Sequence, residues 1–167
     1  MPIAQAKGRF AFSDEFVPVA MMEADVYVVS VLESNKKFTD WEGFVAYAQA
    51  HPGDVTTGGS SACVLDEYNA LQFAEAVGAE LTYVPYDGYG EYKTAFLGGE
   101  VDLYIDKLSS FTTMAQYEEI IPLTVTTEAG ISVDRLEGVP STVEHGLDFT
   151  ASSWRGVAVK KGTPQEI

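Results

Sequence analysis

Three short stretches hold the residues whose types and spacing could do chemistry. They are Gly58-Gly59-Ser60-Ser61-Ala62, Tyr86-Asp87-Gly88-Tyr89-Gly90-Glu91 and Asp106-Lys107-Leu108-Ser109-Ser110. Each stands where a strand-like run gives way to a helix-like one. Backbone N–H groups at the start of a helix lack intrahelical partners and sit at the positive end of its dipole, so such junctions hold anions. Glycine lets a ligand come close to the backbone, and serine adds a hydroxyl donor. The expected chemistry is non-covalent: a cradle for a small anionic group such as a carboxylate. Lys107 is the only base in the three stretches, with Lys93 one turn into the following helix. Backbone amides would therefore supply most of the binding, because a buried carboxylate needs donors or a counter-charge. The purely structural reading of the same residues is that the glycines make tight turns and the serines cap helices.

Other chemistries fit less well. Cys63 at a helix start could have a lowered thiol pKa and act as the nucleophile of a small α/β enzyme. Nothing in the sequence places His51 or His145 beside it, and a lone cysteine is more often small and buried. Neither glycine-rich stretch satisfies G-x-G-x-x-G or the P-loop pattern, so no nucleotide cofactor is expected. Asp66, Asp87 and Glu91 lack the spacing of a calcium loop, and two isolated histidines with one cysteine give no metal site. A single cysteine also rules out an intrachain disulfide.

The 167 residues carry 25 acids against 10 bases, a net charge of −15, which opposes binding to nucleic acid or anionic membranes. The pairs Lys36-Lys37 and Lys160-Lys161 are isolated and make no basic stripe. An apolar content of 46% supports a core. No window approaches the ~18 consecutive apolar residues of a membrane span. No apolar leader is legible at the N-terminus, which leaves open a cytoplasmic chain or a leader outside this sequence.

The elements that must position the three stretches alternate. Val17 to Glu33 is rich in β-branched and aromatic residues and reads as one or two strands. A helix follows, with Thr39 and Glu42 at capping-box spacing, a core stripe of Trp41, Phe44, Val45 and Ala48, and a stop at Pro52-Gly53. Then come a strand at 54–57, a helix from about Cys63 to Val77, a strand at 81–86, a helix from Tyr92 to Leu97, a strand at 101–106, a helix through Ser110–Tyr117 and a strand at 120–127. This order predicts an α/β fold with a mainly parallel sheet flanked by helices. A short helix near Ser141–Glu144 and a strand around 154–159 close the chain. In an open parallel sheet the ligand sits beyond the carboxyl ends of the strands, where all three stretches fall.

The words and their order, GGSSACVLDE, YVPYDGYGEYKTAFLGGEVDL and SSWRGVAVKKGTP, resemble the solute-binding proteins of tripartite tricarboxylate transporters (the TctC or Bug type) from about Asp14 onward. Leu97-Gly98-Gly99 with Val101-Asp102, and Trp154-Arg155-Gly156 with Gly162-Thr163-Pro164, are the most specific parts. The resemblance implies a two-lobed periplasmic-binding-protein fold that closes on a small organic carboxylate and delivers it to membrane permease subunits outside the cytoplasm. It implies no catalysis. Matched residue by residue, the ligand loop runs from Gly58 to Cys63, with Gly59, Ser60, Ser61 and Ala62 as donors. Asp66 would orient the loop or meet a ligand hydroxyl, Tyr86 and Gly88 would form the adjacent wall, and Lys107, placed by its own charge rather than by the resemblance, would be a weaker charge partner.

The sequence departs from the family pattern at Glu67, where histidine is common, and at Cys63 and Val64, which replace smaller residues. The family's first strand and first glycine-rich loop have no counterpart. The implied organisation is residues 1–33 as an N-terminal segment and hinge-crossing strand, 34–122 as a complete ligand-binding lobe, and 123–167 as a return strand and the start of the other lobe. Exposed hinge strands would favour a homo-oligomer, and a non-binding assembly module is the alternative function.

Overall fold

The computed structural model describes residues 12–61, 65–114 and 116–164. Its backbone divides into two compact units, residues 25–153 and the described residues 12–24 with 154–164.

The larger unit is an α/β sandwich. The second half of β1 (Phe16–Leu32) lies between β4 (Leu103–Lys107) and β5 (Ile120–Val125) and is antiparallel to both, so β4 and β5 are parallel to each other. The strands β2 (Val55–Gly59) and β3 (Leu81–Pro85) pair in parallel, and the Asp102 N–H donates to the Thr56 carbonyl at 3.1 Å beside the start of β4. The α/β fold class expected from the alternating elements is present. The antiparallel insertion of β1 is what that alternation leaves out. Pro122, which has no N–H to give, stands in β5 where the register against β1 shifts between Val29 and Ser30.

Period-two alternation builds two cores on the two faces. Tyr27, Val29 and Val31 of β1, with Leu103 and Ile105, pack under α2 (Trp41–Ala50) and α3 (Leu65–Val77) through Phe44, Ala48, Phe73 and Val77. Val28 and Leu32, with Tyr104, pack on the opposite face under α4 (Tyr89–Leu97) and α5 (Leu108–Met114) through Tyr92, Phe96, Phe111 and Met114. Residues i and i+2 of a strand share a face, which is why one strand feeds both layers.

Helix boundaries differ from expectation in instructive ways. The cap of α2 is Asp40, whose carboxylate accepts the Gly43 N–H at 2.8 Å, rather than Thr39. Helix α4 starts three residues early, at Tyr89 behind Gly88. No loop separates β4 from α5: Lys107 ends the strand and Leu108 begins the helix, so Ser109 and Ser110 are helical. Ser141–Glu144 forms a turn rather than a helix. Ser141 and Glu144 exchange reciprocal bonds, at 2.8 Å to the Glu144 carboxylate and 3.1 Å to the Ser141 hydroxyl, but Gly146 at φ +85° breaks the turn at once.

The smaller unit contains the helical turn α1 (Phe12–Glu15), the first half of β1 and most of β6 (Ser152–Lys160), which pairs with β1. Gly156 permits that pairing, since a Cβ there would lie 2.7 Å from the Ala20 carbonyl. Met21, Met22 and Trp154 are each about 70% exposed on this ribbon.

Candidate functional site

The carboxyl ends of β2 and β4 meet α3 and α4 around a small cleft of about 120 Å³. Gly59, Ser60, Asp66 and Lys107 line it together, joined by Tyr89, Tyr92, Ile105, Asp106 and Ser110. Four of the nine residues singled out in the sequence therefore converge.

A charge network organises this cleft. Asp66, in the first turn of α3, accepts from Lys107 Nζ at 3.0 Å and from the Tyr27 hydroxyl at 3.2 Å through Oδ1. Its Oδ2 accepts the Ser60 hydroxyl at 3.3 Å. Lys107 Nζ also lies 3.5 Å from Asp106 Oδ1, which accepts the Lys107 N–H at 2.7 Å. The Tyr104 hydroxyl donates to Asp106 Oδ2 at 3.0 Å. Burial pushes the Asp106 carboxyl above its ordinary value, only partly offset by the Lys107 N–H and ammonium. Burial works against the Lys107 charge, but its bond to Asp66 and the charges of Asp106 and Asp66 outweigh that and hold its pKa above the usual lysine value. Tyr27, pushed up to about 12 chiefly by burial, stays neutral, with Lys107 Nζ 5.3 Å above its ring.

The glycines answer to the protein's own side chains. A Cβ on Gly58 would lie 2.6 Å from the Val84 carbonyl, 2.9 Å from the Tyr86 ring and 3.1 Å from the Tyr92 ring. One on Gly59 would collide with the Tyr83 hydroxyl and lie 3.1 Å from Asp66 Cβ. The Tyr83 hydroxyl in turn donates to the Ser61 carbonyl at 2.9 Å, and Tyr86 N–H to the Gly59 carbonyl at 3.0 Å. The loop is thus held in shape by two tyrosines from and beyond β3. Gly58 is buried behind the cleft, Ser61 is exposed beside it, and Tyr86 stacks on Tyr92 with ring centroids 5.8 Å apart. Gly88 caps α4 with extended backbone and open space around it. Ala62, with Cys63 and Val64, lies outside the described residues.

Sequence reasoning gave no role of its own to Asp106, although it opens the third stretch, and none to Tyr27. Asp106 carried a signal: a carboxylate at the end of the otherwise apolar run Leu103-Tyr104-Ile105 must find partners if buried. Tyr27 carried none, because its partner is 39 residues away. Among the described residues no group of three or more His, Cys, Asp or Glu side chains is placed to hold a metal ion. No described helix is long and apolar enough to cross a membrane.

Residues 2–167 match the tripartite tricarboxylate transporter family receptor, TctC. Protein BugT of Bordetella pertussis is 32% identical over 162 residues, 92% of this chain and 47% of BugT. A UPF0065 protein from the TAR-I ttuE-ttuC' intergenic region of Agrobacterium vitis is 34% identical over 133 residues, 79% of this chain and 37% of that protein. Among solved structures, a TctC solute binding protein from Polaromonas superposes with a TM-score of 0.81 at 24% identity, covering 98% of this chain and 55% of that one. The R. palustris protein Rpa4515 with adipate gives a TM-score of 0.75 at 28% identity, over 94% of this chain and 52% of that one. The chain spans between 37% and 55% of the length of these relatives. The family model describes a transporter receptor, a class of solute-binding transport proteins rather than enzymes.

Proposed function

We propose, from the premise that this chain belongs to the tripartite tricarboxylate transporter receptor family, that it supplies the ligand-binding lobe of a periplasmic solute-binding protein for a small organic carboxylate. The carboxylate would be held by the amides of the 58–62 loop and handed to membrane permease subunits. The observation that carries this reading is the convergence of Gly59, Ser60, Asp66 and Lys107 on one cleft at the carboxyl ends of β2 and β4, where open α/β sheets take their ligands. The R. palustris relative with adipate supports the ligand class.

The serine hydroxyls already donate within the protein, Ser60 to Asp66 and Ser61 to the Ser60 carbonyl. Backbone N–H groups are therefore the donors we assign to the ligand. Tyr86 and Gly88 shape the neighbouring wall. In this reading residues 34–122 belong to the binding lobe together with the second half of β1 and the end of β5, which its sheet requires.

A thermal-shift screen of the 167-residue chain against di- and tricarboxylates, with sugars as controls, tests the proposal. A dose-dependent rise in Tm with carboxylates alone is expected, growing as RT ln(1 + [L]/Kd). No rise with any acid would move the chain to the non-binding alternative.

That alternative, an assembly module, draws on the exposed apolar side chains Val19, Met21, Met22 and Trp154 of the smaller unit. In this reading they drive self-association of the chain. Light scattering that finds a clean monomer at high concentration would remove it.

A further inference from the structure

We infer that Asp25 is a positioning residue for the candidate cleft: it does not line the cleft, but it fixes the first turn of α5 so that the Ser110 hydroxyl is presented to the ligand as a donor. The inference rests on the carboxylate-binding reading above and adds one side-chain donor to the loop amides.

Asp25 belongs to β1 and is 6% exposed, yet its partners among the described residues are not cations. Its Oδ1 accepts the Ser109 N–H at 3.2 Å and its Oδ2 the Ser109 hydroxyl at 2.5 Å. Burying a carboxylate without a countercharge is costly, so its place calls for a reason. The register of β1 on β4 supplies one. Tyr27 stands opposite Lys107, so Asp25, two residues earlier, faces Ser109, where strand has already become helix. The backbone ladder has ended there, and the carboxylate takes the free amide of the helix start in its stead. Two donors of one residue held on two oxygens of one carboxylate fix the turn in rotation as well as in position. Asparagine, with a single acceptor oxygen, does not offer that fork.

Helix α5 depends on such a hold. At 7 residues it is too short to stand by itself, and Phe111 and Met114 anchor only its core side. Ser110 lies between the two anchors and lines the cleft beside Lys107. Its carbonyl accepts the Thr113 hydroxyl at 2.7 Å and the Tyr89 hydroxyl at 3.5 Å. Its own hydroxyl has no hydrogen-bond partner among the described residues. Ser60, the other serine of the cleft, gives its hydroxyl to Asp66. Ser110 is thus the cleft serine with a donor to spare, and a half-buried hydroxyl is worth most to a carboxylate when its aim is fixed.

The test is calorimetric titration at neutral pH with succinate, malate, adipate and citrate, on the 167-residue chain, Asp25→Asn, Ser110→Ala and the double variant. Ser110→Ala is expected to weaken whichever of these acids bind the unaltered chain by about tenfold, as the loss of a charge-assisted hydrogen bond does. Asp25→Asn should weaken them by about fivefold, and should add no further loss once the Ser110 hydroxyl is gone. A merely structural Asp25 would shift Tm alike in both backgrounds and leave affinity unmoved. Unchanged affinity in Asp25→Asn, a loss that persists without the Ser110 hydroxyl, or unchanged affinity in Ser110→Ala each overturns this inference and leaves the carboxylate reading intact. Silence of the unaltered chain with all four acids overturns both. Should Asp25→Asn fail to fold, Ser109→Ala removes only the hydroxyl half of the fork at an exposed position. It is expected to cost about threefold in affinity with Ser110 present and nothing without it, and an equal effect in both backgrounds overturns the inference.

Discussion

Lys107 Nζ lies 3.0 Å from Asp66 Oδ1, joining the last residue of β4 to the first turn of α3 across 41 residues of sequence. Neither side chain is fully buried, at 22% and 15% exposed. The same ammonium also serves Asp106 at 3.5 Å. The cleft's geometry therefore depends on one cation held between two carboxylates.

Lys107→Met should destabilise the chain by about 2–4 kcal/mol, because it leaves two carboxylates without their shared countercharge. Urea unfolding measures this, and an unchanged midpoint would show that the pair is ornamental. The pH signature is specific. The folded pKa of Lys107 is raised above 10.5, so its contribution is complete at neutral pH and is lost only as pH rises through that folded value. The folded pKa of Asp106 is also raised, above 3.8, so its contribution is complete below 3.8 and is lost as pH rises through its folded value. Asp106→Asn should accordingly gain stability relative to the wild type on going from acid to neutral pH.

Gly58 and Gly59 should respond differently to a methyl group. At Gly58 the nearest obstacle is the backbone carbonyl of Val84, which cannot swing aside. Gly58→Ala is expected to cost about 2–3 kcal/mol whatever accompanies it. At Gly59 the obstacle is the tip of Tyr83, so Tyr83→Phe should recover a good part of the Gly59→Ala loss. Thermal melts of the two single and one double variant separate the cases. Equal losses without rescue would mean that Asp66 Cβ, not Tyr83, sets the limit.

Asp102 explains part of the Val-Asp pair that follows Leu97-Gly98-Gly99. Its carboxylate accepts the Thr56 N–H at 2.9 Å, the Thr56 hydroxyl at 2.8 Å, Lys37 Nζ at 3.0 Å and Asn35 Nδ2 at 3.4 Å. It ties the start of β2 to the start of β4, at the opposite end of those strands from the cleft. Asp102→Ala should cost about 2–4 kcal/mol in urea unfolding. It should leave carboxylate affinity unchanged in the folded fraction. A loss below about 0.5 kcal/mol would remove Asp102 from its tying role.

Glu144 accepts the Ser141 N–H at 2.8 Å and the Gly130 N–H at 2.9 Å. Those backbone bonds, the Ser141 one first, and the Ser141 hydroxyl hold its carboxyl below 4.5. A depressed folded pKa means its contribution is present above 4.5 and is lost as pH falls through the folded value. Glu144→Gln should therefore lose less stability than the wild type on acidification from neutral pH, read as Tm against pH. Parallel curves would mean that the turn at 141–146 is held by other bonds.

The sequence by itself determined the elements and the ends at which a ligand would be sought. Short apolar runs such as Leu103-Tyr104-Ile105 mark strands, Phe44 and Ala48 mark a buried helix face, and Gly58-Gly59-Ser60 marks a junction, because each signal lies within a few residues. The pattern of words from GGSSACVLDE to SSWRGVAVKKGTP also carried the family. Only the tertiary structure decided that β1 enters antiparallel between β4 and β5, since nothing local fixes a strand's neighbours. It likewise decided that Tyr83 and Tyr86 close over the glycines, and that Asp66 takes both Lys107 and Tyr27. The last two contacts span 41 and 39 residues, and the free energy of pairing a half-buried charge depends on burial and distance that exist only once the chain is packed.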